Sequence, residues 1–124
     1  MTWWQWLLVA AAGACGAPLR YVVDTKVSSR LEAVFPYGTL AVNISGSFLL
    51  GLITGLALDH GLGTTEQLVL GTGLLGAYTT FSTYTLESLS LFQAGETLAA
   101  VRNLAGSVVL GLLASAAGWA LASL

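Results

Sequence analysis

The chain has 124 residues, of which 56% are hydrophobic and only 8% are charged. A soluble globular domain carries about 25% charged residues, so the composition excludes that class and predicts one integral membrane domain over residues 1–124. The formal net charge of −2, without a basic run, argues against a nucleic-acid partner. Cys15 is the only cysteine, which excludes an intrachain disulfide and a cysteine-based metal site.

Four apolar stretches are each close to the roughly 20 residues that cross a 30 Å hydrocarbon core. They predict an all-α membrane protein with four transmembrane helices, at about 3–23, 35–58, 66–92 and 98–121. Asp24–Val34 is predicted to form a short interfacial helix or a loop. We interpret the first stretch as a membrane helix and not as a signal peptide, because no Lys or Arg precedes Arg20. Arg20 itself either snorkels to the interface or faces a vestibule and concentrates anions there.

The third predicted helix contains a sequence that disfavours helix, within the stretch GTGLLGAYTTFSTYTLES of Gly71–Ser88. A glycine followed by hydroxyl and β-branched residues lowers helix propensity locally, so we predict a break near residues 76–83. Unwound backbone at membrane depth is tolerated where it is buried in protein, lines a cavity or coordinates an ion. The break is therefore predicted to be functional. Glu87 follows it and is interpreted as a vestibule or interface residue.

Small and polar residues recur every four positions on two helices, which places them on one face of each. On helix 2 they are Thr39, Asn43, Ser47, Gly51 and Gly55, and on helix 4 they are Asn103, Ser107, Gly111 and Ser115. Such stripes pack helices closely, within a chain or against a second subunit. Two interpretations stay open for Asn43 and Ser107: hydrogen bonding between helices, or donation to a permeating anion.

Three other functions are alternatives to an ion pathway. A proton-coupled multidrug exporter needs a titratable carboxylate at the membrane midplane, and only Glu87 is a conceivable substitute. A non-conducting membrane scaffold would explain the small-residue stripes but not the break. An enzyme is the weakest interpretation, since one Cys and one His (His60) supply no nucleophile and base pair.

Two motifs carry a family resemblance. PYGTLAVNISGSFLLG at 36–51 on helix 2 and GAYTTFSTY at 76–84 on helix 3 resemble the signatures of the Fluc (CrcB) fluoride channels. Length, helix number and Arg20 agree as well, so the resemblance covers nearly the whole chain. It implies a fluoride-selective channel that exports fluoride passively and confers fluoride resistance. The expected location is the inner (plasma) membrane of a prokaryote-like cell, as a multi-pass protein.

The resemblance also implies an assembly and a set of site residues. The assembly is an antiparallel, dual-topology homodimer, or a pair of homologues of opposite topology, with two pores. A structural sodium ion at the dimer centre is expected on the backbone carbonyls of Gly76 and Thr79. Phe81 and Tyr84 match the aromatic residues that contact the anion, although the second is usually Phe in this family. Asn43 matches the pore asparagine, and Ser107 matches a polar-track serine on helix 4.

The chemistry of fluoride fits these residues. Fluoride is strongly hydrated, so a selective path has to replace water with donors and avoid a fixed charge that holds the ion too tightly. The chain offers the Asn43 amide, aromatic ring edges and hydroxyl groups. The hydroxyl groups belong to Thr39, Thr80, Ser82, Thr83 and Ser107.

Overall fold

The computed structural model describes all of residues 1–124 and is entirely helical, as predicted. Three helices are long and continuous: α1 (Trp3–Leu31), α2 (Tyr37–Asp59) and α6 (Thr97–Ala122). Each is long and apolar enough to cross a membrane. Between α2 and α6 lies a segmented third region. It consists of α3 (Thr64–Gln67), a π-helix (Leu68–Leu75), α4 (Gly76–Tyr78) and α5 (Phe81–Gln93).

The prediction that the first helix ends near Val23 is wrong, because α1 continues to Leu31. No glycine or proline lies between Val23 and Leu31, and the charged residues there do not interrupt a helix. The Ser28 hydroxyl donates to the Asp24 carboxylate one turn earlier, at 3.2 Å. The helix stops where Glu32 adopts a left-handed conformation with φ 37°.

The α2 helix packs closely against α6 through glycine. A Cβ atom added at Gly51 would collide with the Ser115 carbonyl, and one at Gly118 would collide with the Phe48 carbonyl. Backbones in contact at two points about one turn apart are typical of membrane helices that associate through small residues. The interface confirms close packing for the C-terminal part of each predicted stripe, at Gly51 and Ser115. Asn43, nearer the start of α2, is left for other contacts.

The third region breaks at Thr79–Thr80, which confirms the predicted interruption and narrows it. Thr79 has ψ 160° and Thr80 has φ −146° and ψ 123°, so both backbones are extended. Residues 76–78, at the start of the predicted break, are still helical. The π-helix before the break was not predicted; such segments are rare and are frequently found at functional sites.

Candidate functional site

Asn43 and Thr80 form a reciprocal pair that joins α2 to the break. The Asn43 Nδ2 donates to the Thr80 carbonyl at 2.8 Å, and the Thr80 N–H donates to the Asn43 Oδ1 at 2.8 Å. Because the backbone of one residue offers both a donor and an acceptor, the pair fixes which way the Asn43 amide is turned. Asn43 therefore bonds between helices, and one of its two amide hydrogens is left for a further acceptor.

A cavity of about 330 Å³ lies beside this pair. Seven of the predicted site residues line it: Asn43, Gly76, Thr79, Thr80, Phe81, Tyr84 and Ser107. They come from α2, α4, the break, α5 and α6, and the structure brings them to one place although Asn43 and Ser107 are 64 positions apart in the sequence. We refer to this space as the break cavity.

A second cavity of about 210 Å³ contains the remaining predicted residues, Arg20, Thr39 and Thr83. Asp24 also lines it, so one cationic and one anionic side chain share this space. Thr80 lines both this second cavity and the break cavity. The structure thus places Arg20 in a cavity next to the helix break.

The two aromatic residues have different environments. Their ring centroids are 5.7 Å apart with the planes tilted by 58°. Tyr84 is 8% exposed, whereas Phe81 is 78% exposed on the surface of the single chain. The Tyr84 hydroxyl donates to the Leu104 carbonyl on α6 at 2.7 Å. The hydroxyl that distinguishes Tyr84 from the usual Phe therefore ties α5 to α6 and adds no donor to the cavity.

Ser107 belongs to a buried network that the sequence did not reveal. Its hydroxyl donates to Asn103 Oδ1 at 3.3 Å, and Asn103 Nδ2 donates to the Ser88 hydroxyl at 2.8 Å. Ser88 in turn donates to the Tyr84 carbonyl at 2.8 Å. Because 3.3 Å is long for a bond between a hydroxyl and an oxygen, the Ser107 hydroxyl is weakly held.

Thr39 and Glu87 join α2 to α5 beside the second cavity. The Thr39 hydroxyl donates to Glu87 Oε1 at 2.6 Å, and Glu87 Oε2 is buried without a hydrogen-bond partner. The two residues are 48 positions apart, so no local sequence pattern predicts that they pair. Glu87 is therefore a contact of a predicted site residue, in keeping with its interpretation as a vestibule residue.

Thr80 also starts α5. Its hydroxyl accepts from the Thr83 N–H at 3.1 Å and donates to the Thr83 hydroxyl at 3.0 Å. A hydroxyl that accepts from a backbone N–H three residues later is a typical N-cap, and it satisfies one of the donors at a helix start. Thr80 is thus held twice, through its backbone by Asn43 on α2 and through its side chain by Thr83 on α5.

These features define a small multi-pass helical membrane protein whose neutral polar groups meet at a helix break, the arrangement used for ion sites in membranes. The family model described as CrcB-like protein, Camphor Resistance (CrcB), matches residues 7–119. The chain belongs to the CrcB family, which confirms the resemblance carried by the two motifs.

Curated relatives cover almost the whole chain. "Fluoride-specific ion channel FluC 1" of Streptomyces avermitilis is 49% identical over 114 residues, covering 92% of each chain. The protein of the same name in Frankia casuarinae is 48% identical, covering 95% of each chain. "Fluoride-specific ion channel FluC 2" of Mycobacterium tuberculosis is 47% identical, over 91% of this chain and 86% of the relative. The family is one of ion channels, so the chain is not an enzyme.

Proposed function

We propose that this chain is a subunit of a fluoride-selective channel that releases fluoride passively from the cell and so confers resistance to it. The observation that carries the proposal is the meeting of Asn43, Thr80, Phe81 and Ser107 around the break cavity. Neutral donors from three helices and an aromatic ring converge there. Curated relatives that align over nearly the whole chain are named fluoride-specific channels.

The side chains around the break cavity suit a small, strongly hydrated anion. Their polar groups are uncharged, so they can replace hydration water and still release the ion. Arg20 in the second cavity supplies a positive charge next to this neutral region. Placed there, it offsets the negative charge of Asp24, which lines the same cavity, and so keeps this approach from repelling anions.

We further propose that a second copy of opposite orientation completes the path. Phe81 lines the break cavity yet is 78% exposed in the single chain, and Gly76 at the same cavity is exposed. A partner subunit on this face would cover both. The expected assembly is an antiparallel homodimer, or a pair with a homologue of opposite topology, in the inner membrane of a prokaryote-like cell.

A structural sodium ion is part of the proposal. No group of three or more His, Cys, Asp or Glu side chains converges anywhere in the chain, so a cation would have to use neutral oxygens. Carbonyls in an unwound membrane helix are such ligands for sodium, and the Gly76 and Thr79 carbonyls lie at the break. Two copies related by two-fold symmetry would present four of them. When bound, the ion would hold the two breaks together.

The deciding experiment is ion efflux from liposomes that contain the purified protein, with fluoride and chloride compared in parallel. Fluoride release that exceeds chloride release and does not respond to a pH gradient supports the channel. Export of organic cations driven by a proton gradient would instead support the exporter, with Glu87 as its carboxylate. Release of neither ion would reject an ion pathway and favour a non-conducting scaffold.

A further inference from the structure

The hydrogen bonds around the break explain why the carbonyls of Gly76 and Thr79 lack their usual helical partners. In a continuous α-helix the Thr80 N–H would donate to the Gly76 carbonyl, and the Thr83 N–H would donate to the Thr79 carbonyl. Here the Thr80 N–H donates to Asn43 Oδ1 at 2.8 Å, and the Thr83 N–H donates to the Thr80 hydroxyl at 3.1 Å. Both donors are diverted to side chains, one on α2 and one at the break itself.

We infer that Asn43 and Thr80 are positioning residues for the cation site, because their side chains take up the two amides that would otherwise pair with its carbonyl ligands. The inference rests on the sodium ion included in the proposed function. It assigns Asn43 a second task that is separable from donation to an anion. Its Oδ1 serves the cation site, whereas its unpaired amide hydrogen faces the pathway.

The other half of the Asn43 amide selects which carbonyls remain. Its Nδ2 donates to the Thr80 carbonyl at 2.8 Å and so occupies that oxygen. The Thr79 hydroxyl donates to the Leu75 carbonyl at 2.9 Å, and the Thr79 N–H donates to the same oxygen at 2.9 Å. The Thr79 side chain is thus turned back to its own helix, which leaves the Thr79 carbonyl as the ligand on this residue.

The glycine at position 76 is consistent with a role outside its own chain. A Cβ atom added there would meet only the Gly71 carbonyl, at 3.7 Å, which is ordinary contact. Nothing within the chain therefore requires glycine at this point. Close approach by a cation and by the second subunit would require it, because a side chain would stand beside the exposed carbonyl.

The test measures the sodium-dependent stability of the purified assembly, as the difference in Tm between sodium and N-methylglucamine at equal ionic strength. A ligand that binds only the folded state stabilises it by an amount that grows with the logarithm of the free ligand concentration relative to Kd, and so raises Tm. Asn43→Ala and Thr80→Val each return one amide to the helix and should lose the sodium-dependent shift. Thr80→Ser keeps the accepting oxygen and should retain it.

Asn103→Ala is the matched control. It removes another buried amide that bonds between helices, at Ser88, without touching the break. We expect it to lower Tm in both salts and to keep the difference between them. A sodium shift that survives intact in Asn43→Ala and Thr80→Val would overturn the inference.

Failure of the inference and failure of the channel proposal give different results. A wild-type protein that conducts fluoride but shows no sodium shift would lack the cation site, and the inference would fall while the channel stands. A wild-type protein with a sodium shift but no fluoride flux would leave the inference standing and reject the channel. Phe81→Ile should separate the two, with the sodium shift kept and the fluoride flux lost, because Phe81 makes none of the hydrogen bonds that direct the two amides.

Discussion

Replacing Tyr84 with Phe tests whether the Tyr84 hydroxyl contacts the permeating ion or stabilises the folded protein. The hydroxyl donates to the Leu104 carbonyl at 2.7 Å, and the residue is 8% exposed. Tyr84→Phe removes this bond and keeps the ring. We expect fluoride flux to be unchanged and the assembly to be less stable.

The expected loss of stability follows from the two groups that form this hydrogen bond. A neutral intramolecular hydrogen bond contributes about 0.5–1.5 kcal/mol to stability. Leu104 lies inside α6, so its carbonyl retains a helical partner and is not left unsatisfied. The loss in unfolding free energy should therefore be about 1 kcal/mol, or roughly a fivefold change in the folding equilibrium. If the hydroxyl instead donated a hydrogen bond to the permeating anion, the substitution would remove an interaction of about 1.5–3 kcal/mol. Fluoride flux would then fall roughly ten- to hundredfold.

The assay pairs fluoride efflux from liposomes with thermal unfolding of the same preparation. Tyr78→Phe is the matched control, because the Tyr78 hydroxyl also bonds inside the chain, to Ser45 at 2.8 Å. Both variants should lose a similar amount of stability. A tenfold or larger drop in flux for Tyr84→Phe with unchanged stability would show that the hydroxyl faces the ion, contrary to the structure.

Phe81→Ile and Asn43→Asp should each reduce fluoride efflux to the level of empty liposomes while the protein still assembles, judged by gel filtration; normal flux in both would remove these residues from the pore. Gly118→Ala should destabilise the fold by about 1–3 kcal/mol through overpacking, since the new methyl collides with the α2 backbone. Gly106→Ala meets open space within the chain and should be neutral or slightly stabilising in the same unfolding assay. Arg20→Gln should slow fluoride efflux at low ionic strength and approach the wild-type rate at high salt, where exposed charges are screened; a deficit independent of salt would contradict a steering role.

The break was predictable because it is a local property. Glycine followed by a run of Thr and Ser lowers helix propensity within a few residues, and those residues are adjacent in the sequence. The preceding π-helix was not predictable in the same way. Its i→i+5 bonding depends on how the Leu68–Leu75 segment fits against α1, where Gly73 approaches the Val9 carbonyl.

The sequence also could not show which side chains in the site form hydrogen bonds with one another. Spacing predicted that Asn43 faces protein and not lipid, and it left two interpretations of its amide. The structure shows the interhelical one directly and leaves an amide hydrogen for the other. The pairs Thr39 with Glu87 and Ser107 with Asn103 depend on the rotation of each helix about its axis. A four-residue repeat shows which residues share a face, and it does not show what that face meets.

The position of Thr80 has a consequence for the mutational tolerance of this protein. Its side chain must offer an oxygen to a backbone amide, fit the walls of two cavities and favour extended backbone. Valine shares the β-branched shape that prefers such backbone but has no oxygen, and serine has the oxygen without the branch. Saturation mutagenesis under fluoride selection should therefore accept threonine best and serine next, and reject the rest. Exposed Ser82, two residues away, should accept many substitutions.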